Sequence, residues 1–470
     1  MTNENQKKGE GLNINAKSFI VAIAIIFVLM IGTYILTFVM PGGEYARTLD
    51  ANGNSIIDTT AGFRNVEGGL PFWKWILSPF LVLGAEGSGT IIAVIIFLLV
   101  IGGVFNALGE CGLMKYMLDK IVSKFGNVKY KLMAILCLFF MAMGSLVGSF
   151  EEVVPMAPIV VALSIALGWD ALTGVAMSLL ATGCGFAAGI ANPFTVGVAQ
   201  ELAGLPMFSG MWLRAISFVL IYLLLLAFIR LHAKRVERPI DNAVVGADFI
   251  RDAKMEKGLK TFAILFGIGI ALVLSSSFIK ALQDYTMIIV ALMFLVAGIV
   301  SVHNTGMTGK VMGKSFLDGL LAISPSVIMI LMASSIKYIL VESKILDTML
   351  HGAVGVAQNM PKAEVILFIY LICLIMNFFI PSGSAKAFLL IPLIVPIAQI
   401  FAINPQLCII AYCFGDGFSN VFYPTNPALL ITLGLSDVGY ADWAKYSVKF
   451  QLANLVLTSG ILLLGLAVNY

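Results

Sequence analysis

Apolar runs of about 20 residues, separated by short polar stretches, recur from Ser18 to Tyr470. A run of that length, wound as a helix, crosses a hydrocarbon core of roughly 30 Å. The pattern predicts full spans over 18–40, 90–108, 211–229, 261–279, 286–302, 319–341 and 447–466. Two further crossings, about 171–203 and 406–434, are interrupted. The first contains Thr182-Gly-Cys-Gly-Phe-Ala-Ala-Gly-Ile-Ala-Asn192-Pro193-Phe-Thr195, and the second Gly415-Asp416-Gly-Phe-Ser419-Asn420-Val-Phe-Tyr-Pro424-Thr425-Asn426-Pro427. Proline removes a backbone donor and glycine lowers helix propensity, so both helices are expected to unwind there. The half-helix ends would then offer free N–H groups to anions and free carbonyls to small cations.

Two more apolar tracts, about 130–167 and 362–403, carry a polar break at the middle. The breaks are Gly148-Ser149-Phe150-Glu151-Glu152 and Pro381-Ser382-Gly383-Ser384-Ala385-Lys386, with arms of about 15 residues on either side. Arms of that length reach only mid-membrane, where irregular backbone must be buried in protein or line a wet cavity. Re-entrant helical hairpins are the expected solution. Sliding the chain by 234 residues superposes the two tips and places Pro158 on Pro392, Gly183 on Gly417 and Asn192-Pro193 on Asn426-Pro427. The expected fold is therefore an all-α polytopic membrane protein built as an inverted repeat, with two re-entrant hairpins and two broken helices.

Composition agrees: 60% of the 470 residues are hydrophobic and 12% charged, and the mean hydropathy is +0.98. No stretch remains for a soluble catalytic domain. Net charge is +3, from 29 basic and 26 acidic residues, too even to suggest a nucleic-acid partner. With a cytoplasmic N-terminus, inside loops carry 19 Lys/Arg and outside loops 6, so the positive-inside rule places the C-terminus outside. The resulting organisation is a cytoplasmic segment 1–17, a first half 18–229, a cytoplasmic linker 230–260 and a second half 261–470. The apolar stretch after Lys17 is too long for a signal-peptide core and reads as the first span. The six cysteines, without a CxxC pair, are expected to be packing residues, with no metal site. A GxxxxGK[ST] loop is absent, so no ATP-driven pump is expected. Nor do repeated filter sequences or a nucleophile with its base point to a channel or an intramembrane enzyme.

Ionisable residues at membrane depth mark substrate or ion paths. Glu151 and Glu152 lie at the first tip, Lys386 at the second and Asp416 at the second helix break; the register places Glu152 on Lys386. A structural Glu–Lys pair between hairpins is the plainer reading of the former, and a capping carboxylate the plainer reading of Asp416. Two carboxylates facing one ammonium suit a substrate with both an amine and a carboxylate: Lys386 and backbone N–H groups would take the carboxylate, Glu151 or Glu152 the amine. Asn192, Thr195, Ser382, Ser384 and Asn426 are expected to join substrate binding, and Ser149, Ser419, Asn420 and Thr425 to offer oxygens to a coupling Na⁺ or H⁺. No cofactor is expected. Gln200 and Glu201 read as interfacial, and Asn106 and Asn377 as amides that join helices.

Met40-Pro41-Gly42-Gly43-Glu44-Tyr45, Glu151-Glu152 with Pro158, Asn192-Pro193-Phe194 followed by Val198-Ala199-Gln200, Ser382-Gly383-Ser384, and Phe414-Gly415-Asp416-Gly417-Phe418-Ser419 with Tyr423-Pro424-Thr425 closely resemble the YfcC family of candidate basic amino acid transporters. That family is related to the C4-dicarboxylate anaerobic carriers of the ion transporter superfamily, and the resemblance runs nearly end to end. It implies an elevator-type carrier in a bacterial inner membrane, usually a homodimer, in which a scaffold holds the dimer interface and the hairpins and broken helices move substrate. The implied substrates are cationic amino acids such as arginine and ornithine, by exchange or ion-coupled uptake, or alternatively C4-dicarboxylates and other small carboxylates. The tips Gly-Ser-Phe-Glu-Glu and Ser-Gly-Ser-Ala-Lys depart from the Ser-Asn-Thr motif of the superfamily's sodium/dicarboxylate members, so those sodium sites do not carry over.

Overall fold

The computed structural model describes residues 16–49, 55–57, 62–85, 88–148, 150–206, 208–239, 251–276, 286–357 and 360–470. Ser149 lies outside these, and of Glu152 only the backbone is described. Helix dominates, and among the described residues eight helices are long and apolar enough to cross a membrane. The first half runs α1 (Ala16–Val39), α2 (Phe72–Leu81), α3 (Ser88–Glu110), α4 (Leu113–Phe125), α5 (Lys129–Ala142), α6 (Ala157–Ala166), α7 (Ala171–Val175), α8 (Ala181–Ala188), α9 (Val198–Leu202) and α10 (Met211–Val236). After it come α11 (Ala253–Ser276), α12 (Thr286–Asn304), α13 (Gly309–Ile323), α14 (Pro325–Glu342), α15 (Leu346–Ala357), α16 (Lys362–Phe379), α17 (Gly383–Ile400), α18 (Pro405–Asn420), α19 (Pro427–Leu435) and α20 (Tyr440–Ala467).

Every expected full span falls on one of these helices as far as it is described, 277–279 of the span 261–279 lying outside the described residues, with two differences. The span over 319–341 is two helices, because Pro325 starts α14 and ends the run of α13. The polypeptide is also not wholly helical: β1 (Gly43–Tyr45) pairs with β4 (Phe63–Asn65), and β2 (Arg47–Leu49) with β3 (Ser55–Ile57), all antiparallel. Each strand is only three residues long, so no alternating hydrophobic period announces it. They are tied to the start of α15, where Asp347 accepts from the Tyr45 amide at 3.0 Å and from Arg47 Nη2 at 3.0 Å.

The interrupted crossings break where expected. α8 stops at Gly189, and the chain restarts after Asn192, whose side chain accepts from the amides of Phe194 and Thr195 with Pro193 in the first turn. α18 stops at Asn420, and α19 restarts after Asn426, which accepts from the Ala428 and Leu429 amides with Pro427 in the first turn. Asparagine supplies the cap acceptor, and proline lacks the N–H that a first turn leaves unbonded. Asp170 and Asn404, also 234 residues apart, cap α7 and α18 in the same way.

The arms flanking the second tip are longer than 15 residues. α16 and α17 have 18 residues each, about 27 Å of helix, so length does not confine them to half the bilayer.

Packing follows the 234-residue register. α8 lies on α5, and α18 on α16; the half-helix after the first break lies on α17, and α19 lies on α6 and the turn Glu151–Met156. The two broken helices meet at the corresponding glycines: a Cβ on Gly183 would stand 3.2 Å from the Gly417 carbonyl, and one on Gly417 would stand 2.3 Å from the Ala187 amide. Backbones this close admit no side chain. The largest buried apolar cluster surrounds these elements, and two smaller ones lie between α3, α11 and α12 and between α1, α2 and α14.

Candidate functional site

Lys386 sits in the first turn of α17 and Asp416 in the last turn but one of α18, both with 0% exposure. Lys386 Nζ pairs with Asp416 Oδ1 and donates to Asn377 Oδ1. The expected partner of Lys386, if it had a structural one, was Glu152; the structure instead pairs it with Asp416, across two helices of the same half. Nor is Asp416 a helix cap, since it lies within α18. Asp416 Oδ2 has no hydrogen-bond partner among the described residues. Gly383 lies against it, such that a Cβ there would fall 2.9 Å from Asp416 Oδ2 and 2.8 Å from the Thr195 methyl. The tip of the second half thus rests between the two helix breaks, and only glycine leaves that space clear.

Asn377 is the hub. Its Nδ2 lies 3.1 Å from the Asp416 carbonyl, 2.7 Å from Ser419 Oγ and 2.9 Å from Asn420 Oδ1. Asn420 Oδ1 also accepts from Asn426 Nδ2 at 3.0 Å. Lys386, Asp416, Asn377, Ser419, Asn420 and Asn426 therefore form one buried network joining α16, α17, α18 and the start of α19. Asn377 was expected only to join helices, because a single amide in a run of Leu, Ile and Phe carries no mark of its partners. Asn106 does behave that way, donating to the Ser315 carbonyl at 2.7 Å.

The first half contributes fewer bonds. Gly148, at φ +76°, is held against the Asn192 cap, where a Cβ would stand 2.3 Å from its Oδ1. Ser145, which sequence reasoning missed, ties the first tip to the first break: its Oγ accepts from the Ile190 amide at 2.9 Å and its carbonyl from the Ala191 amide at 3.1 Å. Glu151 is half-buried. Thr195 Oγ1, Asn192 Nδ2 and Thr425 Oγ1 are buried and lack partners among the described residues. Ser384 is half-buried, while Ser382 is exposed and makes no side-chain cap to α17.

Free backbone groups at the breaks were expected to bind ligand, and much of that capacity is taken. Carbonyls left by the end of α18 accept from α20: Gln451 Nε2 reaches Phe418 at 2.9 Å, Trp443 Nε1 reaches Val421 at 2.8 Å and the Tyr440 hydroxyl reaches Phe422 at 2.9 Å. A buried carbonyl away from water needs such a partner. The unmet hydrogen-bonding capacity lies instead in the side chains of Asp416, Thr195, Asn192 and Thr425. An acceptor carrying charge, one amide donor and two hydroxyls suit an ammonium or guanidinium group, or a small cation with oxygen ligands. Among the described residues no cluster of His, Cys, Asp and Glu is arranged to hold a metal ion.

Broken apolar helices that bring a buried ion pair and unpartnered polar side chains together define a polytopic membrane transporter. The chain belongs to the DcuC family, described as C4-dicarboxylate anaerobic carrier, whose model matches residues 19–467. It is 32% identical over 401 residues to the Escherichia coli K12 protein named "Putative basic amino acid antiporter YfcC", covering 80% of this chain and 78% of that one. A Haemophilus influenzae protein described as uncharacterized is 25% identical over 390 residues, covering 80% of this chain and 76% of its own. The crystal structure of the Alcanivorax borkumensis YdaH transporter matches 96% of this chain and 99% of its own at 18% identity, with a TM-score of 0.44, a likeness too weak to define the fold.

Proposed function

We propose that this protein is a secondary active transporter of amino acids, cationic ones such as arginine or ornithine, which reads the substrate's cationic group at Asp416. The observation that carries this reading is the buried Lys386–Asp416 pair with Asp416 Oδ2 unpartnered. A substrate ammonium or guanidinium takes Oδ2 and competes with Lys386 for the carboxylate. Glu151, half-buried at the first tip, offers a second carboxyl group to the substrate's cationic groups. The E. coli relative's name supports an antiport cycle, in which Lys386 neutralises Asp416 between one substrate and the next.

The moving parts in this reading are the two tip-bearing tracts, acting as re-entrant hairpins, with the broken helices. The symmetric packing of α19 on α6, and of the first break on α17, supports an inverted repeat. The separate apolar clusters beside α3, α12 and α14 support a distinct scaffold, as an elevator in a homodimer requires. The basic bias of the loops supports a bacterial inner-membrane protein with its N-terminus in the cytoplasm. Glu152, Ser149 and the hydroxyls of Ser382, Ser384 and Thr425 remain assigned to substrate or to a coupling Na⁺ or H⁺.

A second reading, a carrier of C4-dicarboxylates or other small carboxylates coupled to Na⁺ or H⁺, is favoured by the family description. Thermal unfolding of the purified protein against about 50 amino acids and small carboxylates, with and without sodium, separates the two, because a ligand of the folded state raises its apparent stability. The amino acid reading predicts stabilisation by arginine or ornithine that Asp416→Asn removes. Stabilisation by carboxylates alone, and only with sodium, would overturn it.

A further inference from the structure

Arg214 enters neither the sequence reading nor the network above, yet it is among the largest fully buried side chains, at 1% exposure. It lies in the first turn of α10 and pairs with no carboxylate among the described residues. Nη2 donates to the Ser209 carbonyl at 2.8 Å and the Phe208 carbonyl at 3.3 Å, while Nε and Nη1 have no partner among the described residues. A buried guanidinium with two idle donors is costly unless something negative meets it.

The surroundings hold that guanidinium in place. Gln200 is fully buried, contrary to its expected interfacial position, and its amide bonds to the Ser209 carbonyl at 2.9 Å and to Gln406 Oε1 at 3.0 Å. Gln406 donates to Ser209 Oγ, and the Tyr470 hydroxyl to the Gly210 carbonyl. Gly210, at φ +67°, has no room for a Cβ, which would fall 2.5 Å from the Tyr470 hydroxyl. The loop before α10 is thereby clamped between the half-helix after the first break and the start of α18.

That position is tied to the site. Gln406, which donates to Ser209 Oγ beside the guanidinium, lies in the first turn of α18, the helix that carries Asp416, and Gln200 lies on the half-helix that follows the first break. Lys386, the residue first expected to take the substrate carboxylate, is occupied by Asp416 and Asn377.

Building on the amino acid reading above, we infer that Arg214 is the binding residue for the substrate's carboxylate, with its idle Nε and Nη1 donors aimed at that group while Asp416 takes the cationic end. A substrate with a cationic side chain and a carboxylate is then read at two points. Charge-assisted bonds of a guanidinium to a carboxylate are the strongest hydrogen bonds available to such a ligand.

The test uses the full-length protein in nanodiscs and two probes, L-arginine and agmatine, which keeps the guanidinium and lacks the carboxylate. Calorimetric affinities are compared for the native protein, Arg214→Gln and Arg214→Met. The inference predicts that the native protein prefers L-arginine by about ten- to a hundredfold. Both variants should lose that preference by weakening for L-arginine alone, with agmatine binding unchanged. Retained agmatine binding reports an intact fold, and Arg214→Met removes a buried charge without shortening the apolar stem. Equal loss for both probes, or an unchanged preference, would overturn the inference. If neither probe binds the native protein but succinate does, the amino acid reading fails separately. Loss of succinate binding in Arg214→Gln would then still support a carboxylate site at Arg214, and its retention would overturn it.

Discussion

Lys386 and Asp416 are each tolerable at full burial only because the other is there. An ion pair out of water gains little net stability, but removing one member leaves an uncompensated charge costing about 3–5 kcal/mol. Lys386→Met and Asp416→Asn should therefore each lower the unfolding temperature clearly, and the double variant should recover most of the loss while remaining inactive. Thermal unfolding in one detergent, with transport measured in parallel, checks this; single variants as stable as the native protein would mean the pair is not formed. Both residues were visible in the sequence as rare charges within apolar runs. Their pairing was not, because contact between positions 30 apart depends on how α17 meets α18. Asn377 was read only as an amide that joins helices, and Arg214 was not singled out at all. The amide is one polar residue in a helix otherwise apolar, and the arginine lies close enough to its helix start to pass for a flanking charge.

Among the elements, the breaks were the most legible, since Asn-Pro carries its own mechanism: an acceptor for orphan amides, then a residue with no amide to orphan. Asn192→Ala and Asn426→Ala should each cost about 1 kcal/mol of stability. Asn426→Ala should impair transport more than that cost explains, because Asn426 Nδ2 also holds Asn420 in the Lys386 network. Calorimetric unfolding beside transport rates of the two variants tests the asymmetry; equal transport defects would contradict it. What the breaks do with their freed backbone was not legible. Gln451, Trp443 and Tyr440 are spread along α20, and only the packing of that helix reveals that they close the carbonyls at the end of α18. The small strands between α1 and α2 were likewise hidden, three residues each being too short for an alternating pattern.

For the molecule as a whole, hydropathy placed the helices. Positions 234 residues apart make matching contacts, as the proposed repeat requires: glycines where the broken helices cross, caps at Asp170 and Asn404, and exchange of partners between halves. Composition could not choose a substrate, because the choice depends on which charges are already spent on each other. With Lys386 paired to Asp416, the proposed reading assigns a substrate cation to Asp416 and a substrate carboxylate to Arg214. Counterflow of labelled L-arginine into arginine-loaded proteoliposomes tests that account most directly. It predicts accumulation by the native protein and none by Asp416→Asn. Full counterflow by Asp416→Asn, or sodium-driven uptake of labelled succinate by a native protein that ignores arginine, would contradict it.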